Sequence, residues 1–443
     1  MKSVNNVDVN KCMENVVLVS FDSLRSDYVA QISPAEAPSL CLIRDRGAFF
    51  KNAIVQAPFT IPSHASMLTG LYPARTGVRD MHHRIAPEVP SVFSILNEAG
   101  FYVMASSPTA LLRRGGKFRG IDRHVPSRYR CLKKSIVGLN GKRFFAFLHH
   151  WGTHTPYQTR LPGWKPMDVV SNLLRPFCGL GYVHGLRRIG DALWLYRVER
   201  IRTMLKNGNK KILPALKRGY RDALIKADKF LGRVLKILEE ADLANKTLLI
   251  ITGDHGDSFS EHGEINRAIG GRYEHGQFLY DNTIRVPLIF FSGGRRFSRA
   301  FDAQIQEIDI APTLLEALGV EYEGTMDGTS RWTENMVGGK EPNGTFAFSE
   351  VVRESLDIQL RCVRSSSFKL IYDYGNNTFE FYDLRADPQE KNNLYPADTY
   401  RQKDALLAQL HLFSQINRVA GESCSGSEQK QIEQMLRNLG YLR

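Results

Sequence analysis

Asp22, Thr60, Asp254 and His255 are the side chains with which this chain could do chemistry. Two carboxylates, an imidazole and a hydroxyl make an oxygen and nitrogen donor set that suits at least one divalent cation, with Mn, Zn, Mg and Ca all admissible. Thr60 stands in the stretch APFTIPSHASMLTG, where Pro62 is tolerated in a first helical turn and Gly70 supplies a stop, so a hydroxyl is expected at a helix N-terminus. Unpaired N–H groups and the positive end of the helix dipole favour an anion there, and an alkoxide over an alcohol. A Thr in that place can also be an ordinary cap. Its partners decide between the two.

Those partners must be delivered by strands. Asp22 follows VVLVSF, and Asp254 and His255 follow LLIITG. Both runs are β-branched and apolar throughout, as buried parallel strands are. In open α/β sheets the ligand crevice lies off the carboxyl ends of such strands. A third run, RFFAFLHHWGTHTPY, ends in His149, His150 and His154. We read His149 and His150 as satisfied structural histidines. After Asp22, SLRSD is expected to open a helix or turn with Ser23 as its cap. The segment from Val92 reads as helix, strand (FYVMAS) and a loop rich in Gly and Arg, and Gly219 to Ala241 as a long amphipathic helix. Past Gly319, FAFSEVV, IQLRCV, FKLIYDY and TFEFYDL alternate like strands, with GNN (Gly375 to Asn377) as a hairpin turn and a helix from Lys403 to Gln415.

Composition sets the bounds. The chain has 443 residues, 43% hydrophobic and 24% charged, enough for one large α/β domain and a smaller one. Neither a spanning helix nor an apolar leader is visible, so a cytoplasmic location is expected, at most peripheral to the inner membrane surface. Six cysteines without a CxxC pair argue against a zinc ribbon and a disulfide framework. The chain carries a net +13, and Arg160 to Arg218 alone holds thirteen Lys or Arg against three Asp or Glu. That segment is either a solvated helical cap or an anion-attracting lid that recruits an acidic glycan or a lipid head group. No helix-turn-helix, zinc-finger or RNP signature accompanies the charge, so a specific nucleic-acid partner is not expected.

FDSLRSD, TIPSHASMLTG, TGDHGD, LYDNTIRVPLI, IDIAPTLLEALG and FYDLRADPQEKNNL, in this order, resemble the sulfatase branch of the alkaline phosphatase superfamily. The resemblance implies an alkaline phosphatase-like three-layer α/β/α sandwich with a mostly parallel central sheet and a smaller C-terminal antiparallel subdomain. Residues 1–340 would form the catalytic domain, with 160–218 as a basic helical insertion, and 341–443 the subdomain. It implies a cation held by Asp22, Thr60, Asp254 and His255, with Thr60 as covalent nucleophile. His154, from THTP, would contact the transferred group, and His275, from EHG, would meet the leaving group or nucleophile. An anionic phosphate or sulfate ester is the implied substrate.

Three departures matter. Ser23 stands where such sulfatases carry a second metal-binding Asp. The Lys and His that grip sulfate after the FYVMAS strand are replaced by SSPTALLRRGGKF, in which Thr109 is the hydroxyl that could reach the anion. The Cys/Ser-x-Pro-x-Arg motif reads Thr60-Ile61-Pro62-Ser63-His64, so maturation to formylglycine is not expected. Threonine stands at that place in the membrane-linked phosphoethanolamine and phosphoglycerol transferases of the superfamily. Phosphodiesterase or phospho-group transferase chemistry is therefore the leading expectation, a sulfatase working without formylglycine the alternative, and a noncatalytic anion or nucleic-acid binder the reading from another class.

Overall fold

In the computed structural model, residues 13–107, 118–155, 157, 196–262, 275–416 and 422–423 are described, apart from single positions and short runs within those ranges. Fourteen strands follow one another along them: β1 (Asn15–Phe21), β2 (Ala48–Ile54), β3 (His83–Arg84), β4 (Tyr102–Ser106), β5 (Arg123–His124), β6 (Phe144–His150), β7 (Thr247–Gly253), β8 (Arg285–Phe291), β9 (Arg299–Gln306), β10 (Ala347–Arg353), β11 (Ile358–Arg364), β12 (Phe368–Asp373), β13 (Thr378–Asp383) and β14 (Glu422–Ser423). Eight form the central sheet in the order β5-β4-β6-β1-β7-β8-β2-β9. Its pairs are parallel except those made by β8, which runs against both neighbours.

β1 lies inside this sheet, paired with β6 on one side and β7 on the other, and all seven of its residues are buried. Alternation sends its side chains to two cores. Val16 and Leu18 join the helices Thr60–Thr69, Val92–Glu98 and Ile310–Leu318 on one face, while Val17, Val19 and Phe21 join Pro38–Arg46 and Ile212–Glu240 on the other. The result is the expected three-layer α/β/α sandwich. The expected C-terminal subdomain is also present: β10 to β13 form a four-stranded antiparallel sheet, the last hairpin turns with Asn377 at φ 52°, and Arg401–Ser414 packs on it.

A buried charge cluster joins this smaller sheet to the helical turn Asp281–Ile284 that precedes β8. Lys369, fully buried, lies 2.6 Å from both Asp281 Oδ1 and Glu390 Oε1, and Arg364 donates two hydrogen bonds to Asp281. Each charge has an opposite partner, the condition under which burial is tolerated. Cys41, Cys131 and Cys362 are free thiols. No helix among the described residues is long and apolar enough to cross a membrane.

Of the basic segment, positions 196–209 and 211–218 are described, and 196–206 and 212–218 are helical. Val198, Ile201 and Arg197 are buried there, and Arg197 donates to the Tyr157 carbonyl at 2.8 Å. Arg197 is therefore a structural contact and not part of a solvated charge surface. Thr109, Arg187 and Arg188 lie outside the described residues.

Candidate active site

The carboxyl ends of β1, β6 and β7 lie side by side, because β1 pairs with both others in register. Asp22 and Asp254 therefore emerge next to each other, as the strand reading requires. The helix Thr60–Thr69 begins against them, with Phe59 extended before it and Gly70 ending it in the left-handed conformation. Its first residue brings Thr60 Oγ1 to 3.4 Å from His255 Nε2. The structure thus gathers Asp22, Thr60, Asp254 and His255 in one place.

Ser23 departs from expectation. The next helix is Ser26–Gln31, whose cap position is Arg25, so Ser23 caps nothing. It sits at φ 65°, a conformation that non-glycine residues rarely take. There its N–H donates to Asp254 Oδ1 at 3.0 Å and its hydroxyl to Asp22 Oδ1 at 3.0 Å. Its carbonyl accepts from Tyr220. Ser23 is a brace between the two carboxylates.

Five imidazoles surround the pair. His255 Nδ1 lies 2.7 Å from the Gly256 carbonyl, which can only accept, so Nδ1 carries the proton and the Nε2 lone pair is presented. That lone pair faces Asp254 Oδ2 at 3.5 Å and Asp22 Oδ1 at 3.7 Å. His154 follows the same logic: Nδ1 meets the Thr155 carbonyl at 2.5 Å, and Nε2 faces Asp22 Oδ1 at 3.9 Å. His275 adjoins both, with ring centres 4.0 Å from His255 and 5.2 Å from His154. Gly276 follows it at φ +80°, a backbone conformation that strains any side chain, with Arg353 and Phe59 alongside. His64 is fully engaged: Nδ1 donates to the Thr60 carbonyl at 2.9 Å, and Nε2 pairs with Ser20 Oγ at 2.8 Å. It ties the helix Thr60–Thr69 to β1.

His149 corrects the reading of a satisfied structural residue. Its Nε2 is buried without a hydrogen-bond partner, 3.6 Å from Asp22 Oδ2 and 3.8 Å from Asp254 Oδ2. Period-2 alternation turns it toward the helix Thr60–Thr69, whereas His150 turns the other way. His150 is structural, accepting from Gly152 N–H and stacking on Phe230, and burial lowers its pKa to about 4. His262 lies away from this cluster, stacked on Tyr280 and bonded to the Gln389 and Glu390 carbonyls.

The electrostatics calls for a cation. Burial raises the Asp22 carboxyl, but His154, His149 and His255 outweigh it and hold the group well below the usual range. Burial and then the Asp22 charge push Asp254 well above its usual range. Two buried carboxylates at this separation cannot both ionise unless a positive charge joins them. Asp254 Oδ2 has no hydrogen-bond partner, and the facing lone pair of His255 cannot supply one. Ligand atoms of Asp22, Asp254 and His255 all lie within 4.8 Å of one another, as do those of Asp22, His154 and His275. The donor set fits a divalent cation.

Three supports escaped the sequence reading. Asp257 Oδ1 lies 3.4 Å from His275 Nδ1, while its other oxygen accepts from Tyr157. Burial raises Asp257 to about 6, whereas burial and His154 lower His275 to about 3, so His275 is neutral before substrate arrives. Glu307, pushed well up by burial, lies 2.9 Å from Ser63 Oγ, which in turn donates to the Asp254 carbonyl at 2.5 Å. Arg353 reaches in from β10 over Phe59, its Nε buried and without a hydrogen-bond partner.

The profile of the family described as Sulfatase matches residues 14–123 and 132–320. That described as N-sulphoglucosamine sulphohydrolase, C-terminal, matches 271–417. A Bacteroides thetaiotaomicron protein named N-acetylglucosamine-6-O-sulfatase is 28% identical over 44% of this chain and 34% of its own. A Delta 4,5-hexuronate-2-O-sulfatase of the same species is 23% identical over 86% of this chain and 84% of its own. Among solved structures, a protein in complex with its substrate D-glucosamine-2-N,6-O-disulfate superposes with a TM-score of 0.69 at 18% identity, covering 92% of this chain and 98% of that one. These findings favour sulfate-ester hydrolysis over the phosphodiester preference drawn from Thr60 and Ser23.

Proposed function

The chain belongs to the sulfatase family, and from that premise we propose that it hydrolyses a sulfate ester on an anionic sugar, with Thr60 as nucleophile in place of formylglycine. The observation that carries this reading is the position of Thr60 Oγ1, at a helix N-terminus, 3.4 Å from His255 Nε2 and beside the Asp22–Asp254 pair. A sulfated sugar is favoured because relatives of this chain are named for glucosamine and hexuronate sulfates.

A divalent cation held by Asp22, Asp254, His255 and the Thr60 oxygen would lower the pKa of that hydroxyl and polarise a sulfuryl oxygen. The residues do the rest. Thr60 Oγ bonds to sulfur as the bond from sulfur to the sugar oxygen breaks; the Thr60 proton is released and the sugar oxygen takes one up. The first N–H groups of the helix receive negative charge on the sulfuryl oxygens. His154 and His275 lie against His255 and Asp22, where they would contact the transferred group and the departing oxygen. His275 starts neutral, so it becomes a proton donor only when an anionic ester lies against it and raises its pKa. Asp257 and Tyr157 hold its ring in place. Water then removes the sulfuryl group from Thr60, giving sulfate.

The test is a substrate panel on the purified protein: sugars sulfated at O2, O6 or N2, matched phosphate monoesters and diesters, and Mn, Zn, Mg and Ca in turn. Sulfate release that Thr60→Ala abolishes is expected. Faster turnover of a phosphate diester with every metal would overturn the sulfate assignment, and equal rates for the variant would overturn the role of Thr60.

A further inference from the structure

Arg353 carries a buried charge for which the reaction above has no task. It is the last residue of β10. That strand runs beside the approach to Thr60: the Ser349 hydroxyl donates to the Val55 carbonyl, and the Glu350 N–H to the Gln56 carbonyl. Three residues farther along both segments, the Arg353 guanidinium lies over the Phe59 ring, 5.4 Å from its centre. Its Nη1 is also 3.2 Å from the point that a Cβ on Gly276 would occupy. Phe59 precedes Thr60, and Gly276 follows His275. The cation is thereby held against the segment that carries the nucleophile and against the one that carries the histidine assigned to the departing oxygen.

Arg353 is 3% exposed, as closed in as His154 at 5% and His275 at 2%. Its Nε has no hydrogen-bond partner. Asp80 Oδ1, the carboxylate that faces Nε, is 3.8 Å away, beyond hydrogen-bond reach, and accepts from the Met81 N–H at 2.6 Å instead. Other arginines buried to a similar degree are paired closely. Arg25 donates two bonds to Asp27, Arg331 two to Asp309 and Arg364 two to Asp281, all between 2.7 and 3.0 Å.

A guanidinium cannot shed its proton, so burying it is tolerated only when an anion answers it. Asp80, without a hydrogen bond, does so in part. The planar fork that remains suits a carboxylate or a sulfate, which can accept two parallel hydrogen bonds. The scissile sulfuryl group already has the helix N–H groups, the cation and His154 for partners. The anion left for Arg353 is therefore one carried on the sugar, beyond the oxygen that His275 meets.

Resting on the sulfate-ester reading above, we propose that Arg353 binds a second anionic substituent of the sugar, a carboxylate or a further sulfate, and makes the enzyme selective for sugars that carry one.

Two readouts on the full-length, metal-loaded protein test this. Calorimetric Kd values are taken in the Thr60→Ala background, where no ester is consumed, and kcat/KM with Thr60 intact. The probes form two pairs: N-acetylglucosamine 6-O-sulfate with glucosamine 2-N,6-O-disulfate, and glucose 2-O-sulfate with glucuronic acid 2-O-sulfate. The second member of each pair carries one anion more. In at least one pair that member should be favoured by at least about 10- to 100-fold, the worth of hydrogen bonds to a charged group. Preference in the first pair assigns a sulfate to Arg353, and preference in the second a carboxylate. Arg353→Gln should erase the preference, and Arg353→Lys, which keeps the charge but not the fork, should retain part of it. No preference with Arg353 intact, or the same preference in both variants, would overturn the proposal. So would a loss that falls equally on both members of each pair, which would place Arg353 on the transferred group or in the fold. Failure of the protein with Thr60 intact to release sulfate from any probe removes the hydrolytic reading, while the Kd ratios still decide the role of Arg353.

Discussion

Asp254→Asn should stabilise the metal-free protein and abolish its stabilisation by metal, and both magnitudes follow from the carboxylate pair. The ligand oxygens of Asp22 and Asp254 are buried within 4.8 Å of each other. At an effective dielectric constant of about 20, two unit charges at that distance repel by about 3.5 kcal/mol. Asp254 is the member whose carboxyl is pushed up, by burial first and Asp22 second. A carboxyl raised in the folded state lends stability in acid and withdraws it as pH rises through the folded value. Metal-free wild type should therefore weaken toward alkaline pH. Asparagine keeps an oxygen to accept the Ser23 N–H, now 3.0 Å from Asp254 Oδ1, and carries no charge. For 443 residues the unfolding entropy is about 0.9 kcal/mol per K, so relief of about 3.5 kcal/mol is worth about 4 °C. Metal-free Asp254→Asn should melt up to about 4 °C above metal-free wild type near pH 8, with the gap closing on acidification. With metal at about 100 times its Kd, wild type should rise by about 2.7 kcal/mol, or about 3 °C, and the variant hardly at all. Scanning calorimetry with and without Zn, near pH 8 and near pH 5, reads all four quantities. A metal-free variant that melts below wild type near pH 8, or equal rises with metal, would refute the charge argument.

Thr60→Ala should lose turnover while its circular dichroism stays that of wild type and its metal content nearly so, and Thr60→Ser should keep part of the rate; wild-type turnover in the Ala variant removes the nucleophile. His275→Ala and His154→Ala should each lower kcat by about 10² to 10⁴ with metal content retained. Activated aryl sulfates should suffer less than alkyl sulfates in His275→Ala, and equal losses would exclude protonation of the leaving oxygen. Asp257, raised to about 6 by burial, is the carboxylate that holds His275 only above that pH, so turnover should climb through about pH 6. Asp257→Asn should flatten that limb, and an unchanged pH profile would dismiss the pairing. Arg187→Gln with Arg188→Gln should weaken binding to an acidic glycan and reduce its salt dependence, while turnover of a small sulfate ester stays constant; identical salt slopes would leave the segment a solvated cap.

What could be read from sequence was whatever local pattern determines. VVLVSF and LLIITG have no polar face, so they could only be interior strands, and the residues that follow them had to stand at one sheet edge. Thr60 was legible because Pro62 and Gly70 bracket a short helix. Tertiary contacts decided the rest. Ser23 looks like a cap, yet two buried carboxylates draw its hydroxyl and N–H into a left-handed turn. His149 and His150 are neighbours of one type, and only the pleat and the order of strands separate the one facing Asp22 from the one stacked on Phe230. Glu307 and Arg353 come from segments far along the chain that carry no local signal of a site. Arg197 belongs to a segment whose net charge reads as a solvated or anion-attracting surface, yet it is buried and donates to the Tyr157 carbonyl.

The central claim is that sulfur passes through Thr60. The most direct measurement is rapid quenching of the metal-loaded protein during turnover of a sulfated glucosamine, followed by mass spectrometry of the peptide that contains Thr60. The account predicts that this peptide gains one sulfuryl group on the Thr60 oxygen, that the gain appears before steady state, and that it is missing in Thr60→Ala. Turnover that proceeds with the peptide unmodified at every time point, or with the group on another residue, would contradict it.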